Sequence, residues 1–118
     1  MLRTQASAQI RETGETVRVM DIQGHVNAQA ENILIDAFAR ASRPPVKTVV
    51  LNFSALDYMN SSGIGLVVTL LVRAQRQGTE LLAFGLNEHY QTIFELTRLN
   101  EAIQIFSDEA QALQAAQG

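Results

Sequence analysis

Few side chains in this sequence could do chemistry, and they do not assemble into a catalytic set. Ser61 and Ser62 stand together in the run Asp57-Tyr58-Met59-Asn60-Ser61-Ser62-Gly63-Ile64-Gly65. A serine nucleophile needs a base and a strained elbow. Neither a Gly-x-Ser-x-Gly turn nor a neighbouring histidine accompanies this pair. Gly63-Ile64-Gly65 lacks the Gly-Lys-Ser/Thr that completes a phosphate-binding loop. His25 and His89 are far apart and in no ligand spacing, so each reads as a structural histidine. Asp21, Asp36, Asp57 and Asp108 are scattered over surface and loop positions and form no acid pair. Cysteine is absent, which removes thiol nucleophiles, cysteine-held zinc and iron–sulfur clusters. No catalytic residue, metal site or cofactor is expected, and the chain reads as a binding protein rather than an enzyme. One chemistry remains open to the serine pair. If a helix starts there, Ser61 or Ser62 is expected to cap it. A phosphate on one of them would face free backbone N–H groups and the positive end of the helix dipole.

The apolar pattern supplies that helix and the elements around it. Residues 2–10 alternate loosely, with Ala6, Ala8 and Ile10 on one side, and Thr16 to Ile22 carries Val17, Val19, Met20 and Ile22. A short turn containing Gly14 makes these two strands a hairpin. Gly24-His25-Val26-Asn27 breaks the pattern. Asn27 is then placed to cap a first helix whose apolar positions are Ala30, Ile33, Leu34, Ala37, Phe38 and Ala41, ending before Pro44-Pro45. Lys47 to Phe53 reads as a central strand and Ser54 to Asn60 as a polar loop. The second helix runs from the serine pair to Gln77, with Gly78 ending it. Its apolar face is Ile64, Val67, Val68, Leu71 and Ala74, widened by Leu66, Leu70 and Val72, which predicts heavy burial or a partner. A fourth strand covers 80–84. Asn87 caps a third helix with Tyr90, Ile93, Phe94 and Thr97 inward. A fifth strand covers 103–106, and Ser107 caps a last helix packed by Ala110, Leu113 and Ala116. This order predicts an α/β fold: a mixed four- to five-stranded sheet with helices mostly on one face.

Composition narrows the partners. The chain has 118 residues, 47% of them hydrophobic, enough for a single domain over 1–118 with its own core. Eight Arg and Lys47 are dispersed against twelve acidic residues for a net charge of -3, so direct nucleic-acid binding is not expected. The longest apolar stretch, Ile64 to Val72, is roughly half of a membrane span. The first five residues lack the apolar centre of a secretion signal. No membrane insertion and a cytoplasmic location are expected.

The run from Val49 to Gly65 resembles, without a gap, the signature of STAS domains, and in particular of bacterial anti-sigma factor antagonists. That signature is an apolar strand, Asp-Leu-Ser-Gly, a few apolar residues, then Asp-Ser-Ser/Thr-Gly-Leu/Ile-Gly. Gly24-His25-Val26-Asn27 is similar to the family's Gly-Glu-Leu-Asp. Phe84-Gly85-Leu86, Ile93 to Leu99 and Ile103 to Phe106 are similar to its later elements. The resemblance implies a STAS-like domain that binds an anti-sigma factor, itself a serine kinase of the GHKL class, and so frees a sigma factor. It implies phosphorylation of Ser61, which weakens binding, and a phosphatase that reverses it. It also implies a partner surface that includes Asn27, Asn60, Ser62, Gly63 and Ile64. The other role open to such a domain is as the STAS subunit of a transport complex or stressosome-type scaffold, binding an ATPase or another STAS domain.

Three positions where the family pattern has Asp carry Asn here: Asn27, Asn52 and Asn60. Capping survives that exchange and charge does not. Asp57 is expected to restore some acidity nearby. Ser62, one residue further into the helix, is expected to be engaged by backbone N–H groups, leaving Ser61 as the modified residue. Gly63→Arg and Ile64→Glu are expected to block the partner while leaving the fold intact.

Overall fold

The computed structural model describes residues 5–117. Positions 2–4 of the first expected strand lie outside them. Five strands form one sheet in the order β1-β2-β3-β4-β5. They are β1 (Ser7–Glu12), β2 (Val17–Val26), β3 (Thr48–Met59), β4 (Glu80–Phe84) and β5 (Gln104–Phe106). The hairpin pair β1–β2 is antiparallel, and the other three pairings are parallel. Parallel neighbours require a crossover, and helices supply each one: α1 (Glu31–Ala41), α2 (Ser61–Gln77) and α3 (Glu88–Leu96). A fourth helix, α4 (Glu109–Gln117), follows β5.

Strand alternation divides the core in two. Met20 and Ile22 of β2, Val49, Leu51 and Phe53 of β3, and Leu81 and Ala83 of β4 pack with α1, α2 and α3. Val17, Val19, Val50, Leu82 and Phe84 point to the other face, where Ala112 of α4 covers them. Three helices on one face and one on the other is the mixed α/β arrangement expected.

Several local expectations need correction. Ser54 to Met59 is strand, not loop. β2 also continues past Ile22 to Val26, and this extension pairs Gln23 with Ala55, Gly24 with Leu56, His25 with Tyr58 and Val26 with Met59. The sequence break at Gly24 is an irregularity within the ladder, with Gly24 at φ 86°. Asn27 caps a short 3-10 turn, Ala28–Ala30, rather than α1 directly. Asp108, not Ser107, caps α4, its Oδ1 accepting from the Gln111 N–H at 2.9 Å. On that helix Ala112 is fully buried, whereas Ala110 is exposed. Thr97 lies just past α3 and is exposed. On α2 the buried face is Gly63, Leu66, Val67, Leu70 and Ala74. Val68 and Val72, placed inward by the sequence pattern, are 40% and 38% exposed.

Candidate functional site

The start of α2 lies where β3 ends beside the end of β2. Asn60 sits between them in an extended conformation (φ -89°, ψ -173°). Its backbone N–H donates to the Val26 carbonyl at 3.2 Å, which ties the corner to β2. Its side-chain Oδ1 accepts from the Gly63 N–H at 3.0 Å. Asn60 is therefore the N-cap, and the expectation that Ser61 or Ser62 caps the helix is overturned. The physical reason is position: the cap is the last extended residue, and Ser61 already has helical geometry.

This changes the status of both serines. They are the first two residues of α2 and both are exposed. Among the described residues neither hydroxyl has a hydrogen-bond partner, so Ser62 is not engaged as expected. Two flanking groups hold the corner that carries them. Gly63 is buried, and a Cβ there would meet Met59 Cγ at 2.6 Å and the Val26 carbonyl oxygen. Only glycine lets the helix come this close to β2, so Gly63 shapes the site. Gly63→Arg consequently disturbs the fold, contrary to the sequence expectation. Gly65, by contrast, has open space around its Cα. The second group is Tyr90 of α3, only 4% exposed, whose Oη accepts from the Met59 N–H at 2.8 Å.

An open depression of about 370 Å³ lies beside the mouth, lined by Tyr58, Met59, Asn60, Ser61, Ile64, His89, Ile93 and Thr97. Tyr58 is 54% exposed, and Ile64 and Ile93 are half-buried. An apolar floor with a free hydroxyl on its rim suits the docking of a protein surface. The sequence pattern did not single out Tyr58, His89 or Tyr90 for this site. Tyr90 and Ile93 were legible only as inward positions of the third helix.

Asn27 lies directly after Val26, so the two segments singled out in the sequence meet at the C-terminal ends of the neighbouring strands β2 and β3. Its Oδ1 accepts from the Gln29 N–H at 3.0 Å. Asp57 is exposed on β3 and does not line the depression.

Asn52 belongs elsewhere. It points to the α4 face, where its Nδ2 donates to Asp21 Oδ1 at 2.7 Å and its Oδ1 accepts from the Ser54 N–H at 2.9 Å. Arg11 spans Asp21 (Nε to Oδ2, 2.6 Å) and Glu109 of α4 (Nη2 to Oε1, 2.8 Å). The Arg11 guanidinium holds the Asp21 carboxyl below its ordinary range, with Asn52 assisting and burial opposing. Both carboxylates in turn push Arg11 further up. This cluster pins α4 to the sheet and takes no part in the helix mouth.

Comparison with known proteins agrees with this architecture. A segment of 61 residues is 30% identical to a Listeria monocytogenes protein named anti-sigma-B factor antagonist. That match covers 52% of this chain and 54% of the relative, so the chain spans about half the length of the curated relatives it matches. Among solved structures, an anti-sigma factor antagonist from Mycobacterium paratuberculosis superposes with a TM-score of 0.82 at 14% identity, covering 97% of this chain and 96% of that one. The Bacillus cell fate determinant SpoIIAA in its phosphorylated form superposes with a TM-score of 0.67 at 18% identity, covering 92% and 98%. At such identities these structures establish a shared fold. The family model for the STAS domain matches residues 7–112, nearly the whole described chain, and the protein belongs to the STAS domain family.

Proposed function

We propose that this protein is an anti-sigma factor antagonist whose binding is switched by phosphorylation of Ser61. Its partner is an anti-sigma factor that is also a serine kinase of the GHKL class. Binding occupies that partner and frees the sigma factor in the cytoplasm. In the unmodified state the partner packs over the mouth of α2, near Asn27, Asn60, Ser62 and Ile64. The kinase then forms a bond from Ser61 Oγ to the γ-phosphorus of ATP. The bond to the bridging oxygen breaks, ADP leaves, and the hydroxyl proton passes to a base of the kinase. A phosphatase restores the hydroxyl. The chain itself acts by binding, as one domain, and not by turnover.

The observation that carries this reading is the capping of α2 by Asn60. It leaves the Ser61 hydroxyl exposed and free of intramolecular hydrogen bonds. A serine acting as the cap would have to give up its role before modification. A phosphate of charge about -1.5 to -2 at this end of the helix is tolerated by the fold. The same charge in a desolvated interface is expensive unless a cation meets it. The switch thus acts on binding far more than on stability.

The test is incubation with the cognate kinase and ATP, followed by phosphosite mapping, with Asn60→Asp alongside. Phosphate on Ser61 is expected, and phosphate on Ser62 alone overturns the assignment. Phosphate on Ser61 only in Asn60→Asp would mean that the wild type is fixed in its binding state.

A further inference from the structure

The depression beside the helix mouth has Ser61 and His89 among its lining residues. Among the described residues that line it, His89 is the one whose side chain can become a cation. The remainder are apolar or neutral polar groups such as Tyr58, Asn60, Ile64 and Ile93. We infer that His89 receives the phosphate carried by Ser61, so that the modified side chain folds over the depression that the partner would fill. This inference rests on the phosphorylation reading above.

A third residue lies against both sides. Tyr90 is buried and accepts the Met59 N–H, which anchors the β3–α2 corner two residues before Ser61. The His89 ring stands edge-on to the same Tyr90 ring, with centroids 4.9 Å apart and planes at 70°. One buried tyrosine therefore positions both walls. His89 itself is exposed in the first turn of α3 and free to meet a group arriving from the α2 side. Charged or titratable groups around the depression are Glu88, next to His89 on α3, Asp57 on β3, His25 of β2, whose ring stands edge-on to Tyr58 with centroids 6.3 Å apart, and Arg98, next to Thr97 and paired with Glu101. All four are exposed, and none lines the depression. Glu88 and Asp57 are acidic and do not compete with the imidazole for a phosphate, and His25 and Arg98 are the same in every variant compared below. An imidazolium N–H to a phosphate oxygen is a charge-assisted hydrogen bond, stronger than the neutral contacts available elsewhere in the depression.

The test needs no kinase. Phosphoserine is placed at position 61 during translation, and the 31P resonance of the folded protein is followed against pH. Wild type, His89→Gln and His89→Lys are compared. The second ionisation of the phosphate is expected about one pH unit lower in the wild type than in His89→Gln, and to stay low in His89→Lys. Backbone N–H groups at the helix start act on all three alike and cancel in the comparison. Equal values in wild type and His89→Gln overturn the inference. Because the phosphate is installed directly, a kinase that ignores Ser61 would defeat the proposed switch while this pairing is still read on its own.

Discussion

Two asparagines, Asn60 and Asn52, replace aspartates of the family pattern, and the structure uses them in opposite ways. Asn60 uses its carbonyl oxygen alone, as an acceptor for the Gly63 N–H. A carboxylate would serve there equally well, and the helix dipole would favour it. Asn52 uses both halves of its amide, donating to Asp21 and accepting from Ser54. A carboxylate there would set two like charges against each other where Asp21 now finds a donor. The same exchange is thus nearly free at the helix mouth and costly under α4. A single residue type says little until its donors and acceptors have been counted.

The largest effect expected at the mouth comes from neither asparagine but from the glycine between helix and strand. Gly63→Ala should lose about 1–3 kcal/mol in denaturant unfolding, because its Cβ has nowhere to go. Gly65→Ala, in open space, should gain about 0.5–1 kcal/mol from helix propensity. Equal effects at the two positions would mean that the mouth is not held by close approach.

Next comes Asn52→Asp, expected to cost about 1–2 kcal/mol at pH 7 through the lost donor and the new repulsion. The sign of its pH dependence follows from Asp21. The folded carboxyl titrates below its unfolded value of about 3.9, so its stabilisation is fully present above that value. It is lost as pH falls through the lower folded value. In Asn52→Asp, protonating either carboxyl restores a donor, so the gap to wild type should close as pH falls from 7 towards 4. A gap that stays constant breaks the comparison.

At the mouth, Ser61→Asp should weaken partner binding at least about tenfold, which is about 1.4 kcal/mol. Its unfolding midpoint should hardly move. Ser61→Ala should bind and resist release by the kinase. Isothermal titration with and without ATP reads both.

The smallest effects distinguish the cap itself. Asn60→Ala should cost about 1 kcal/mol, and Asn60→Asp should change stability by about 0.5 kcal/mol or less, in the stabilising direction. A loss in Asn60→Asp as large as that in Asn52→Asp would erase the distinction between the two sites.

The element order and most inward positions of α1 and α3 were legible in the sequence because they are written in local periodicity; Ile33, 40% exposed on α1, and Thr97, exposed just past α3, are the exceptions. The second half of β3 was not. Ser54, Ala55, Asp57 and Tyr58 are exposed and look like a loop, and it is the far-off extension of β2 that pairs with Ala55, Leu56, Tyr58 and Met59 and makes this stretch strand. The cap was misread for a related reason. Three capping residues stand in a row at 60–62, and what selects Asn60 is the Val26 carbonyl that ends the strand. The family resemblance located the serines without indicating that either hydroxyl was free. Asn52 looked like part of the same motif until Arg11, Asp21 and Glu109, each distant in sequence, were brought around Asp21 and Asn52 by the fold. The depression is likewise assembled from β3, α2 and α3, and no single segment announces it.

The strand order has a consequence for how the chain becomes this structure. In sheets whose first strand ends up in the middle, early segments wait for later ones to flank them. Here every strand pairs with its neighbour in the chain, from β1 to β5. The sheet can therefore extend from one edge as the polypeptide emerges from the ribosome, each new strand finding its template already laid down. Only the α4 face must wait. Val17, Val19 and Val50 are laid down early and stay uncovered until the last helix arrives, which makes that face the stage at which a nascent chain is most open to capture by a chaperone.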